Sequence, residues 1–99
     1  MRTQKISDVL TIIQTSPEPI SSTNIAVKYF SMHAEHISGQ EIREAVNYLR
    51  KTSISPVCSN NRGYYVSNDK QQIKDQVNKL QGRIDAMNAA LLGLQKFIN

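Results

Sequence analysis

The chain has 99 residues, 39% hydrophobic and 20% charged, with a formal net charge of +4 and a single cysteine. That length permits one small domain with an appendage, and the composition is that of a folded chain rather than a disordered one. There is no apolar run of the ~18 residues a membrane span needs, Asp8 is too early an acid for a secretory leader, and Cys58 alone cannot close an internal disulfide, so a cytoplasmic protein is expected.

Ile6, Val9, Leu10 and Ile13 recur at the spacing of one helix face and predict a first helix over 4–15. Pro17 and Pro19 stop it, because a residue before proline is pushed out of the α region. Ile20 then has room for a β-bridge and nothing longer. Ser21 and Ser22 are N-cap residues for a second helix ending near Phe30 or Ser31, with Ile25, Ala26, Tyr29 and Phe30 facing inward. Residues 32–36 lack a clear period and read as a turn. Ser38 and Glu41 fit a capping box, and Ile37 with Ile42 a hydrophobic staple, at the start of a third helix. Ile42, Ala45, Val46 and Leu49 form its inward stripe, and it runs to about Lys51. A hairpin follows. Val57-Cys58-Ser59 and Tyr64-Tyr65-Val66 flank Asn60-Asn61-Arg62-Gly63, whose Asn and Gly suit the positive-φ positions of a tight turn. Alternation predicts Tyr64 and Val66 facing in and Tyr65 facing out.

Beyond Asn68 the pattern becomes one unbroken helical run, capped by Asn68 or Asp69 and reaching about Ile98, ~45 Å at 1.5 Å per residue. Ile73, Val77, Leu80, Ile84, Met87, Leu91, Leu94 and Ile98 alternate spacings of four and three, a heptad seam over more than three heptads. With Val77, Ile84, Leu91 and Ile98 at a, the d positions hold Ile73, Leu80, Met87 and Leu94, a set that leans towards a parallel two-stranded pairing. Lys74, Gln81, Asn88 and Gln95 at e, and Gln76, Arg83, Ala90 and Phe97 at g, supply no opposite-charge pairs to fix orientation. Ala86, Ala89, Ala90, Leu92 and Phe97 widen the apolar surface of the last third, which suits more than two helices or docking on the chain's own head. The expected division is a compact head over 1–67 and an oligomerisation helix over 68–99.

The four glycines are scattered, so no glycine-rich phosphate loop exists. His33, His36 and Cys58 fall short of the four ligands usual in a structural zinc site. Both histidines are expected to be exposed loop residues and Cys58 a small strand residue. No enzyme activity, metal or cofactor is expected.

Helix, short strand, helix, turn, helix and hairpin is the order of a winged helix-turn-helix domain. The run Glu41-Ile42-Arg43 through Val46-Asn47-Tyr48-Leu49-Arg50, then Ile54-Ser55-Pro56-Val57-Cys58-Ser59 and Gly63-Tyr64-Tyr65-Val66, resembles small winged-helix proteins encoded by phages and prophages of Gram-positive bacteria. It is also similar to the N-terminal DNA-binding domain of biotin-ligase repressors. The resemblance covers residues 4–67 and implies a mainly α domain with a small β-hairpin that binds DNA. The segment expected between the second and third helices is longer than the roughly three to four residues of a tight helix-turn-helix.

The residues make a physical case beside the resemblance. The outer face of the third helix carries Gln40, Arg43, Glu44, Asn47, Arg50 and Lys51. A helix fits the major groove, where Arg bridges guanine O6 and N7 and Asn or Gln bridges adenine N6 and N7. Gln40, Arg43, Glu44 and Asn47 are therefore the candidate base-reading set. Ser21, Ser22 and Thr23 begin a helix, a phosphate-binding arrangement. With Lys28, Arg50, Lys51 and Arg62 at the hairpin tip, they are the candidate backbone contacts. Arg50 and Lys51 also suit the negative end of their own helix. The same face reads too as a solvated surface or a protein contact. Glu41 and Glu44 add negative charge, and residues 1–68 hold seven basic against five acidic residues, a net +2 that is low for non-specific DNA binding. The expected function is sequence-specific binding of double-stranded DNA by a homodimer controlling transcription or replication. No residues are left for a sensing domain, so no small-molecule effector is expected. The alternative is a protein-interaction adaptor, or an inhibitor of a host protein, on the same scaffold.

Overall fold

The computed structural model describes residues 3–98. It is mainly helical: α1 (Thr3–Thr15), α2 (Ser22–His33), α3 (Gly39–Lys51), a small hairpin of β1 (Val57–Asn60) and β2 (Gly63–Val66), and the long α4 (Lys70–Gln95). The chain divides into two units between Asn68 and Asp69.

In the head, α1 packs against α2, α3 and β2, while α3 also meets α2 and β1. One core joins Ile6, Val9, Ile12 and Ile13 of α1 to Ile25, Tyr29, Ile42 and Leu49. Ile12 is buried and Leu10 only half-buried, which shifts the inward face of α1 from the expected one: this helix has neighbours on more than one side, so its buried stripe is broader than one i, i+3, i+4 row.

Helix α2 starts as expected, with Ser21 Oγ accepting the Asn24 amide at 3.2 Å. It runs further than expected, through Met32 and His33, and stops at Ala34 in the left-handed region, φ 53°. Its last turn is held against α1. The His33 ring lies 4.7 Å from that of Tyr29, and His33 Nε2 is 2.9 Å from Asp8 Oδ2. His33 is thus a helix residue and not a loop residue. Phe30 is 47% exposed, not inward, because the turn from Tyr29 carries it off the narrow Ile25–Tyr29 stripe; it lies beside His36, ring centroids 5.2 Å apart.

The third helix forms as read. Ser38 Oγ accepts the Glu41 amide at 3.0 Å and Glu41 Oε1 accepts the Ser38 amide at 3.1 Å. Ile37, Ile42, Ala45, Val46 and Leu49 are all buried. Glu41 Oε2 accepts from Lys5 Nζ at 2.6 Å, which ties α1 to the start of α3. The Lys5 hydrogen bond, then the Ser38 amide, hold the Glu41 carboxyl below the ordinary carboxylate range.

The strands pair Val57 with Val66 and Asn60 with Gly63. Tyr64 and Val66 pack on the core. Tyr65, opposite Cys58, is half-buried and not fully outward. Asn60 works through its side chain and not through a positive φ: Oδ1 accepts the amides of Arg62 at 2.8 Å and Gly63 at 3.2 Å. Ile20 adds a third, one-residue strand, exchanging two 2.9 Å backbone bonds with Tyr64. Gly63 permits this approach. Its φ is 142°, and a Cβ there would overlap the Ile20 carbonyl and the Ser21 nitrogen.

In the second unit Asp69 caps α4, accepting the Gln71 amide at 2.8 Å. The helix ends at Gln95, short of Ile98; Phe97 and Ile98 follow in turns that bond back to Leu94 and Gln95. Among the described residues no helix is long and apolar enough to cross a membrane.

Gly63→Ala must both strain the backbone and push the hairpin off Ile20, so it should cost more than about 2 kcal/mol and lower the melting temperature on the order of 10 °C by circular dichroism. A second expectation follows from Glu41. Its folded pKa is depressed, so the stability it confers is full above the unfolded carboxylate pKa and is lost as pH falls through the lower folded value. Lys5→Ala should therefore be less stable than the parent at neutral pH, with the gap closing in urea titrations as the pH is taken below the carboxylate range.

Candidate nucleic-acid interface

The burial of one face of α3 fixes what its other face offers. Gln40, Arg43, Glu44, Asn47 and Lys51 are all exposed. Gln40, then Arg43 with its neighbour Glu44, then Asn47, then Lys51 stand three or four residues apart and so form a single stripe along the helix. Gln40 Nε2 donates to Glu44 Oε1 at 3.3 Å, and Lys51 Nζ stands 5.9 Å from the Tyr48 ring centroid. Glu44, Asn47, Tyr48 and Lys51 line one side of a cleft of about 320 Å³, closed on the other by Thr3 and Ile6 of α1. Tyr48, 40% exposed beside Lys51, belongs to this surface but was not singled out by the residue pattern. Its spacing from Glu44 and Lys51 was the available signal.

The residues expected to meet phosphate are disposed unequally. Thr23 and Lys28 are exposed and Ser22 is half-buried. The Ser21 hydroxyl is turned onto the Asn24 amide as a cap. Ser22 and Thr23 share a groove of about 610 Å³ with Gly39, Val27, Phe30 and His36, so the first turns of α2 and α3 open onto one depression. Val27, 61% exposed, and Phe30 give this groove an apolar wall that the pattern of α2 did not announce.

Arg50 has a different task. It is half-buried, and its Nε donates to the Val57 carbonyl at 2.7 Å, pinning the end of α3 to the first residue of β1. The residue expected as a phosphate contact thus also has this structural task. Arg62, at the hairpin tip, pairs with Glu18 at 3.0 Å, the two side chains 62% and 69% exposed. So exposed a pair contributes little, and its guanidinium exchanges partners readily. Among the described residues of the head, Lys28, Arg43 and Lys51 carry charge outside any ion pair, whereas Lys5 and Arg62 are matched with Glu41 and Glu18. Among the described residues there is no cluster of three or more His, Cys, Asp or Glu side chains that would hold a metal ion. Cys58 is buried in β1.

The seam of α4 is largely uncovered. Ile73 and Leu80 are half-buried, but Val77, Ile84, Met87, Leu91, Leu94 and Ile98 are 52% to 83% exposed. Leu92 and Phe97, outside the seam, are 60% and 87% exposed. The chain matches no protein-family model, and no curated protein or solved structure shows significant similarity to it.

The two arginines of α3 should part company on substitution. Arg50→Ala removes a charge-assisted bond at 2.7 Å that holds β1 and should cost about 1–3 kcal/mol in urea unfolding. Arg43→Ala, on the exposed stripe, should stay within about 0.5 kcal/mol of the parent.

Proposed function

We propose that this protein binds double-stranded DNA sequence-specifically as a pair of chains, with residues 3–67 as a winged helix-turn-helix head and α4 as the pairing helix. The observation that carries the reading is the two-sidedness of α3: Ile42, Ala45, Val46 and Leu49 are buried, while Gln40, Arg43, Glu44 and Asn47 are all exposed on the other face. In this reading α2, the five residues 34–38 and α3 are the helix-turn-helix, and the longer α2 makes that turn shorter than the sequence pattern implied. β1 and β2, backed by Ile20, are the wing. Arg43, Gln40 and Asn47 meet base edges in the major groove, and Glu44 shares that face. Thr23, Lys28, Lys51 and Arg62 meet phosphates. The resemblance of the α3 and hairpin residues to phage and prophage winged-helix proteins supports a role in transcription or replication control.

Pairing supplies what a single head lacks. One small module makes few base contacts, and a second tethered head adds effective concentration on paired half-sites. The exposed seam of α4 supports this, because a helix alone cannot bury such a stripe. A second reading, a platform for a protein partner, draws on the apolar wall of Val27 and Phe30 in the α2–α3 groove.

Selection from random duplexes, followed by titration at several salt concentrations, separates the two. An enriched two-part motif is expected. Arg43→Ala should lose about 1–3 kcal/mol on that motif and relax preference at one position. Lys28→Ala or Lys51→Ala should weaken all duplexes alike and lower the salt slope by about one unit. Ile84→Asp with Leu91→Asp should leave a folded, monomeric protein that keeps its base preference and loses affinity for paired sites. A wild-type chain that binds no duplex at low salt gives the field to the protein partner.

A further inference from the structure

The seam of α4 changes character along its length. From Asp69 to Asp85 it is narrow, with Lys74, Gln76, Gln81 and Arg83 on its flanks and Val77 at a before Leu80 at d, a pattern that favours two strands. From Ala86 the helix has no charged residue until Lys96. Within residues 86–95 only Asn88 and Gln95 are polar, and both occupy e positions. The g positions become Ala90 and Phe97, and Leu92 stands at b. A two-stranded seam covers a and d, yet Leu92 is 60% and Phe97 87% exposed. A helix apolar on nearly every side is a helix with neighbours on more than one side.

We propose that two α4 pairs join tail to tail through residues 86–98, so that four copies form a short four-helix bundle and the protein bridges two DNA sites. The inference rests on the pairing and DNA reading proposed above. The occupant of the distal surface is a second pair of the same chain. The broad apolar surface is continuous with the seam, and the absence of charge from Ala86 to Gln95 lets these stretches of identical chains meet without repulsion. An all-parallel four-stranded coil would bury Lys74, Gln81 and Arg83, all exposed in the single chain, along its first half. A tail-to-tail overlap confines the bundle to residues 86–98, of which 86–95 supply about 15 Å of helix, where those flanks are absent. It also sets the helix dipoles of the two pairs antiparallel and closes as a point group, leaving no surface for further addition. Residues 3–68 are joined to the N-terminal end of α4, so the two pairs of heads are tethered at opposite ends of the bundle.

Sedimentation of the full chain over a range of concentrations tests this, with capture of a second labelled mixed-sequence duplex on a bead-bound one as the functional readout. The wild type should reach four times the chain mass and retain the second duplex. Leu92→Glu with Phe97→Glu, both outside a and d, should stop at two copies and bind a single duplex as before, with capture lost. The milder Leu92→Ala with Phe97→Ala should weaken the four-copy state at least about tenfold. The melting transition of the head, unchanged in both, shows that the variants are folded. A wild type that never exceeds two copies overturns the inference, even if it binds DNA. So does a four-copy state indifferent to Leu92 and Phe97, and so does a monomer. A four-copy state that is lost in these variants but never binds a duplex supports the assembly and overturns the DNA reading.

Discussion

Burial of one face of α3 is the constraint on which the head depends. Helices α1 and α2 and strand β1 all meet this helix, and Ile42, Ala45, Val46 and Leu49 leave no freedom in how it turns about its axis. Both ends are then pinned by polar contacts from distant parts of the chain. At the start, Glu41 accepts from the Ser38 amide with one oxygen and from Lys5 with the other. At the end, Arg50 reaches the Val57 carbonyl. A helix fixed in rotation and at both termini presents its outer side chains in a constant frame, which base reading by a few side chains requires.

The same contacts change the meaning of the head's charge. A net +2 over residues 1–68 is a small figure for a DNA-binding surface. Glu41 is committed to Lys5 and the Ser38 amide, and Glu18 lies beside Arg62 at the hairpin tip, away from the α3 stripe. Asp8 faces His33 between α1 and α2. Glu41, which in sequence stands among the α3 side chains, is therefore not an opposing charge on the exposed stripe. What that stripe carries is Arg43 and Lys51 against Glu44, and Glu44 is engaged by Gln40 at 3.3 Å. Local sign and total charge are different quantities, and only the first acts on a nearby phosphate within a Debye length.

Legibility in the sequence followed the range of the interactions. The whole of α3 could be read because its cap, staple and stripe are set by residues within one helix. Ile20 could be read because two prolines and a serine leave it room for a single bridge. The hairpin's place was clear, but Asn60 looked like a positive-φ residue when its side-chain oxygen does the turning. Contacts between distant segments were not legible. Nothing near His33 says that Asp8, 25 residues earlier, will lie 2.9 Å from its ring nitrogen beside the last turn of α2. Arg50 looks like any cation at a helix end until β1 is folded beside it. Phe30 reads as inward by spacing, yet α2 fully buries only Ile25 and Tyr29, with Ala26 partly covered, and the ring is left at the surface with Val27.

The two units answer to different kinds of concentration. The head has a continuous core of its own, so its fold is set within one chain. The apolar seam of α4 is mostly exposed within one chain, and a heptad stripe of this length is the kind that a coiled coil buries. In the proposed function association is a mass-action event, so the state that holds two heads on one site is populated in proportion to a power of the chain concentration above one. In the proposed function this makes occupancy of a paired site rise more steeply than the amount of protein, without any ligand. The steepness comes from α4 and the choice of sequence from α3, and substitutions in one unit should alter its own property while leaving the other's intact.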